Sequence, residues 1–484
     1  MAVIDEHERL RKRQRTNIIV AKFIPVFLIL VVAYASYVFV GPLCVNYLLN
    51  APPDAGVQRR MAIGIALPIV FFLLLILMAS CYFRLLYIVS FAPGYVPQHS
   101  TPVDNLEKPI REKKTLQSCV PTHVTDGQEL AQLDYEGILR RGAIPPPGTE
   151  EFYSKDAFVC DRNGLPMWCH TCGVWKADRV HHSRDVGRCV KKMDHFCPWV
   201  GGMVGENGYK FFVQFNIYAA TFSLYAMIVM AYFIAEAERK TGTVGDVQWV
   251  VVLGLGGFFA VFTAGLAMTS IQLTLSNLTT VENIDKGARS MYIAVILPPD
   301  LQGLTGQTPS PTQTPSRTAG SELPLTSEID DPSHASYFSS ERPSRPRRRS
   351  RDELAASIWQ GTITYPLGPE DHPVSARRTF AILKTPQGMN PWDIGWRDNL
   401  TSVFGTRVHS WVLPFLRSPC TRYSSDVSRY PLGWQFEQML SDARMIEPPD
   451  FIKEMNGERP DGWALEKELR RVRREQREIP VLPP

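Results

Sequence analysis

Residues Cys169 to Phe212 read CHTCGVWKADRVHHSRDVGRCVKKMDHFCPWVGGMVGENGYKFF. Within them Cys169, Cys172, His182 and Cys189 follow a C-x2-C-x9-H-x6-C spacing, and three soft thiolates with one imidazole form the donor set of a closed, tetrahedral structural zinc site. The stretch is too short to build a core of its own. A metal would supply the missing folding energy, because its ligands must be deprotonated and gathered around the ion. Cys197 follows in Met193-Asp194-His195-Phe196-Cys197-Pro198-Trp199 and is not needed for the tetrahedron. A spare thiol beside an imidazole that follows a carboxylate suits nucleophilic catalysis: His195 takes the thiol proton, and Asp194 fixes the ring tautomer and stabilises its charged form. By spacing alone the same residues also read as a loop with a spare thiol or an alternative metal ligand.

Working outward, the zinc stretch lies between two pairs of apolar runs. Phe23–Leu49 and Met61–Tyr87 precede it, and Tyr209–Ala235 and Trp249–Ile271 follow; each exceeds the ~20 residues needed to cross ~30 Å of hydrocarbon. The first run is too long for a secretory signal peptide and follows a basic cluster of Arg9, Arg11, Lys12, Arg13 and Arg15. Four spans place both termini on one side of the membrane. Basic residues at the N-terminus, in the central loop and in the tail assign that side to the cytosol, where thiols stay reduced. Asn277 and Asn399 head glycosylation sequons that this topology leaves unused. Over 484 residues a formal net charge of +4 is too small to imply a nucleic-acid partner.

The organisation that follows is a basic N-terminus (1–20), two spans (21–89), a loop (90–208) carrying the cysteine-rich segment (167–208), and two further spans (209–273). A segment with Thr279-Thr280-Val281-Glu282 (274–300) leads into an insertion rich in Ser, Thr and Pro (301–351), which lacks the apolar content to fold. A C-terminal region (352–484) contains Asn390-Pro-Trp-Asp-Ile-Gly395, and Ala464–Ile479 reads as a charged helix with one apolar face. The fold class expected is an all-α integral membrane protein with four transmembrane helices, a small zinc-bound cytosolic domain and a partly disordered tail.

These motifs together resemble the DHHC protein S-acyltransferases, and fungal members most closely. The resemblance rests on Cys169 and Cys172, Lys176, Arg179, the His181-His182 pair, Cys189, the run from Met193 to Val200, a TTxE motif at Thr279–Glu282, and an NPxDxG…N element at Asn390–Gly395 with Asn399. It implies a palmitoyltransferase that moves a long-chain acyl group from palmitoyl-CoA to protein cysteines through an S-acyl intermediate on Cys197, with His195 as base and Asp194 orienting it. Cys169, Cys172, His182 and Cys189 are implied as ligands of a structural zinc, and the partners are acyl-CoA, the bilayer and proteins with cytosolic, membrane-proximal cysteines. The family's second zinc positions carry Ser183, Val186, Phe196 and Met203 here, none a ligand, so one ion is expected and the signature is DHFC. Arg188, Lys191 and Lys192 are candidates to meet the CoA phosphates, and Thr279, Thr280, Glu282 and Asn399 to brace the cytosolic layer. A membrane-anchored zinc-binding interaction module and a weakly active pseudoenzyme are the alternative readings.

Overall fold

Four long helices carry the apolar runs. They are α1 (Ala2–Val38), prolonged by a π-helical stretch (Phe39–Leu49), α2 (Met61–Phe91), α3 (Tyr209–Thr241) and α4 (Val247–Leu275). The computed structural model describes residues 2–50, 59–97, 149–285, 290–298, 357–365, 378–421, 430–443 and 445. The insertion at 301–351 and the helix expected over 464–479 lie outside the described residues. Even the shortest span, with 29 residues, is about 44 Å long at 1.5 Å per residue, more than the ~30 Å hydrocarbon layer. Large apolar side chains such as Phe23 and Val261 project outward from the bundle, 70% and 78% exposed, as lipid-facing residues do. The chain is a multi-pass membrane protein.

The bundle is sealed internally by aromatic packing, in which Phe71 stacks on Phe39 at 4.3 Å and meets Phe222 at 4.8 Å between ring centres. Polar groups close its distal end. The Arg60 guanidinium grips both oxygens of Glu236 at 2.9 and 2.5 Å, and Lys240 joins at 2.7 Å. Such a fork-on-fork pair fixes orientation as well as charge. Asp246 caps α4 by accepting from the Gln248 amide at 2.9 Å, and Gly242 ends α3 in the left-handed conformation.

Outside the bundle the chain also carries β-strands, which the all-α expectation did not include. A four-stranded antiparallel sheet runs in the order β1 (Ala157–Cys160), β8 (Tyr292–Ile296), β10 (Arg378–Lys384), β9 (Trp359–Tyr365). Three hairpins form the zinc stretch: β2–β3 (Met167–Cys169, Val174–Lys176), β4–β5 (His181–Ser183, Arg188–Val190) and β6–β7 (His195–Cys197, Gly202–Val204). Side chains alternate across the sheet. Phe158, Ala294, Phe380 and Ile382 pack on the zinc hairpins through Cys169, Val174 and Trp175. Ile293, Val295, Ala381 and Leu383 face the opposite way, onto Phe436 and Met439 of the helix Trp434–Asp442. Burial on both faces turns β8 and β10 into near-continuous apolar runs, whose period does not announce a strand.

Candidate active site and metal centre

The first two hairpins, β2–β3 and β4–β5, present the metal donors. Cys169 ends β2 and Cys172 lies in the turn after it, where the Gly173 amide returns to the Cys169 carbonyl at 2.8 Å. His182 and Cys189 are direct cross-strand partners in β4–β5. All four donor atoms lie within 4.8 Å of one another, and His182 Nδ1 is 3.5, 3.2 and 4.0 Å from the sulfurs of Cys169, Cys172 and Cys189. Ligands at ~2.0–2.3 Å from a tetrahedral zinc stand at about this mutual distance. The electrostatics agree. A hydrogen bond from Cys189 draws the Cys169 thiol down to about 4, while the Cys189 thiol is pushed up by the same bond, so the crowded sulfurs share charge that a divalent cation would neutralise. The residues therefore fit zinc. Among the described residues this is the one cluster of metal donors.

The positions expected to have lost a second ion are filled by packing. Phe196 and Met203 are cross-strand partners in β6–β7, Met203 is buried, and Ser183 is buried beside the first site.

Alternation in β6 puts His195 and Cys197 on one face and Phe196 on the other. The hairpin presses against α2. A Cβ on Gly202 would come within 2.7 Å of Val89, and Gly201 takes a φ of +83°, so glycine is required at the turn. From α2 the Tyr82 hydroxyl donates to the Trp199 carbonyl at 2.9 Å, fixing the turn that follows Cys197.

Three groups align behind the thiol. His195 Nδ1 is 2.6 Å from Asp194 Oδ2, and its ring is hydrogen-bonded to Cys197 as well. With Nδ1 donating to the carboxylate, Nε2 is the nitrogen left for sulfur. Burial opposes charge on the imidazole, but the bonds to Asp194 and Cys197 outweigh it and lift His195 to about 10. The Asp194 carboxylate is buried and held in turn by Thr280, whose amide donates to Oδ1 at 2.8 Å and whose hydroxyl donates to Oδ2 at 3.1 Å.

Thr280 reaches Asp194 because a buried polar knot ties the zinc stretch to the end of α4. The Arg179 guanidinium, fully buried, holds Glu282 at 2.7 and 2.6 Å and the Asn277 side chain at 2.8 Å, over the Trp392 ring at 4.9 Å. A buried cation so fully paired is costly to disturb. Asn390 and Asn399 donate to the Ser276 and Leu275 carbonyls, each at 2.7 Å, satisfying groups that the last turn of a helix leaves orphaned. Both sequon asparagines are therefore buried and bonded, with no room for a glycan. Sequence reading gave Thr279, Thr280, Glu282 and Asn399 a bracing role. It missed Asn277 as the hub and Thr280 as a partner of Asp194; the positive φ of Asn277, 47°, has no local signature beyond its residue type.

The CoA assignment needs correction for Lys192, which is buried, 3.4 Å from the Asn277 side-chain oxygen, with burial lowering its pKa. Arg188 is half-buried and donates to the Val96 carbonyl at 3.2 Å over the Tyr95 ring. The Cys197 thiol, by contrast, opens onto a cavity of about 370 Å3 among the four helices, bounded by Trp199, Phe212, Phe215 and, deeper, Phe222 and Ala226. This size falls within the ~300–1,000 Å3 of ligand pockets, and its walls are almost wholly apolar.

An apolar cavity among four membrane-length helices, ending at Cys197 with His195 and the buried Asp194 behind it, beside a zinc-type hairpin unit, defines a multi-pass membrane protein built to act on a lipid chain. Comparison with known proteins agrees. Residues 163–287 match the family model described as DHHC palmitoyltransferase. The chain is 35% identical to palmitoyltransferase pfa5 of Aspergillus fumigatus over 454 residues, covering 89% of this chain and 91% of that one. It is 33% identical to pfa5 of Emericella nidulans, covering 89% and 87%, and 32% identical to PFA5 of Kluyveromyces lactis over 167 residues, 34% and 44% of the two chains. The chain belongs to the DHHC palmitoyltransferase family and is a protein S-palmitoyltransferase.

Proposed function

We propose that Cys197 is the nucleophile and carries the acyl group between the two half-reactions, with palmitoyl-CoA as donor. In the first, the Cys197 sulfur attacks the thioester carbonyl, the carbon–sulfur bond to CoA breaks, and CoA leaves as a thiol after taking the proton held by His195. In the second, His195 removes the proton of an acceptor cysteine, whose sulfur attacks the acyl-enzyme and regenerates Cys197. Asp194 holds Nδ1 and stabilises the imidazolium in both. One thioester bond is exchanged for another, so positioning matters more than driving force. The observation carrying this reading is that one thiol both bonds His195 and opens onto the apolar cavity.

Zinc held by Cys169, Cys172, His182 and Cys189 would supply structure alone, fixing the two hairpins that precede β6–β7. Acceptors are proteins whose cysteines lie near the membrane on the zinc-hairpin side, and that side is the cytosol, supported by the free thiols there and the basic residues Lys12, Arg13 and Arg15 on α1. The test is purified protein incubated with palmitoyl-CoA and read by peptide mass spectrometry. A hydroxylamine-labile adduct on Cys197, lost in Cys197→Ser, is expected; an adduct that persists in Cys197→Ser refutes the assignment.

A further inference from the structure

A short helix (Val408–Val412) and the chain after it, to Leu416, expose apolar side chains in a run. Val408 is 75%, Val412 45%, Phe415 69% and Leu416 46% exposed. Scattered apolar residues on a surface need no explanation, whereas a contiguous patch does.

We propose that Val408–Leu416 is an interfacial wedge that buries these side chains at the boundary between headgroups and acyl chains, on the zinc-hairpin side of the membrane, as a fifth membrane contact beside the four spans. The first argument is depth. Three side chains spaced four residues apart on α3 receive this segment: Lys210 donates to the Leu416 carbonyl at 3.0 Å, Gln214 to Trp411 at 2.8 Å and Tyr218 to Val412 at 2.7 Å. The segment thus runs along the face of a membrane-spanning helix rather than above it. The opposite boundary is marked by the Arg60–Glu236 pair. Tyr218 lies 18 residues from Glu236, about 27 Å at 1.5 Å per residue, which is inside the ~30 Å hydrocarbon thickness. Lys210, 26 residues from Glu236, is about 39 Å away, in the headgroup layer. Val412 is therefore carried to the hydrocarbon edge.

The second argument is the backbone. Chain at this depth must satisfy its polar groups within the protein. The carbonyls of Trp411, Val412 and Leu416 are taken by α3, and the Trp411 indole donates to the Gly405 carbonyl at 2.7 Å. The third is charge. Exposed Arg407 and Arg417 bracket the apolar run, where cationic side chains meet lipid phosphates. Apolar centre, basic ends and an aromatic at the boundary are the composition of an interfacial segment, and continuity with the lipid-facing surface of α3 selects the bilayer over a protein partner as occupant.

The experiment places an environment-sensitive fluorescent amino acid at Phe415 in the full chain, reconstituted in phosphatidylcholine/phosphatidylserine nanodiscs. The same probe at Val244, exposed in the loop between α3 and α4, serves as the aqueous control. Lipids brominated near the carbonyl end of the acyl chain should remove most of the Phe415 emission, with aqueous iodide having little effect, and the order should reverse at Val244. Iodide quenching at 415 without bromolipid quenching would overturn the proposal by showing a solvated segment. Protection from both would overturn it in favour of a protein partner.

Discussion

Replacing Thr280 with valine tests how the site is assembled. The substitution keeps the shape and the backbone amide but deletes the hydroxyl that donates to Asp194 Oδ2 at 3.1 Å. A hydrogen bond to a charged group contributes about 1.5–3 kcal/mol. Here the same carboxylate keeps the Thr280 amide at 2.8 Å and His195 at 2.6 Å, and the lost contact is the longest of the three. The lower end therefore applies, and about 1.5 kcal/mol corresponds to roughly a tenfold loss in autoacylation rate. A second readout separates positioning from folding. His195 has its folded pKa raised from 6.5 to about 10, by Asp194 and Cys197 against burial, so its contribution to stability is full below pH 6.5 and is lost as pH rises toward 10. With Asp194 less firmly oriented the folded pKa moves back toward 6.5, so the alkaline fall in the thermal midpoint, which still begins near pH 6.5, is smaller and ends at lower pH. The assay is single-turnover labelling with palmitoyl-CoA, alongside unfolding midpoints across the pH range. An unchanged rate with an unchanged pH profile would refute the claim that Thr280 positions Asp194.

Two further outcomes follow from the same geometry. Metal analysis of the purified protein should give one zinc per chain, because Phe196 and Met203 pair across β6–β7 where donors would be needed; chelation should lower the unfolding temperature together with autoacylation, and two ions per chain would contradict the filled second site. Phe222→Ala should extend the cavity toward the Phe39–Phe71 stack and shift acyl-CoA preference to longer chains, at a stability cost of up to about 3–5 kcal/mol for a buried phenylalanine. An unaltered chain-length profile in the folded variant would show that Phe222 does not bound the acyl chain.

Much of the site was legible in the residues themselves. Metal donors must have particular chemistries at short spacing, so Cys169, Cys172, His182 and Cys189 stand out, and the structure brings all four within 4.8 Å. The four spans were equally visible, since a helix in lipid satisfies its backbone within one continuous segment. Their ends were less so: α1 begins at Ala2, because helix propagates into polar sequence that no hydropathy pattern marks.

Tertiary structure decided what depends on residues remote in the chain. The sheet pairs Ala157 with Val295 and Val295 with Ala381; strand partners so far apart leave no local period, and burial on both faces removes the alternation that would have revealed them. Asp194 depends on Thr280, Arg179 on Glu282 and Asn277, and Lys192 on Asn277. In each case the sequence determined which groups were available, and the docking of the zinc hairpins against the end of α4 decided which of them met, because a buried charge persists only where a partner brought by the fold compensates its lost hydration.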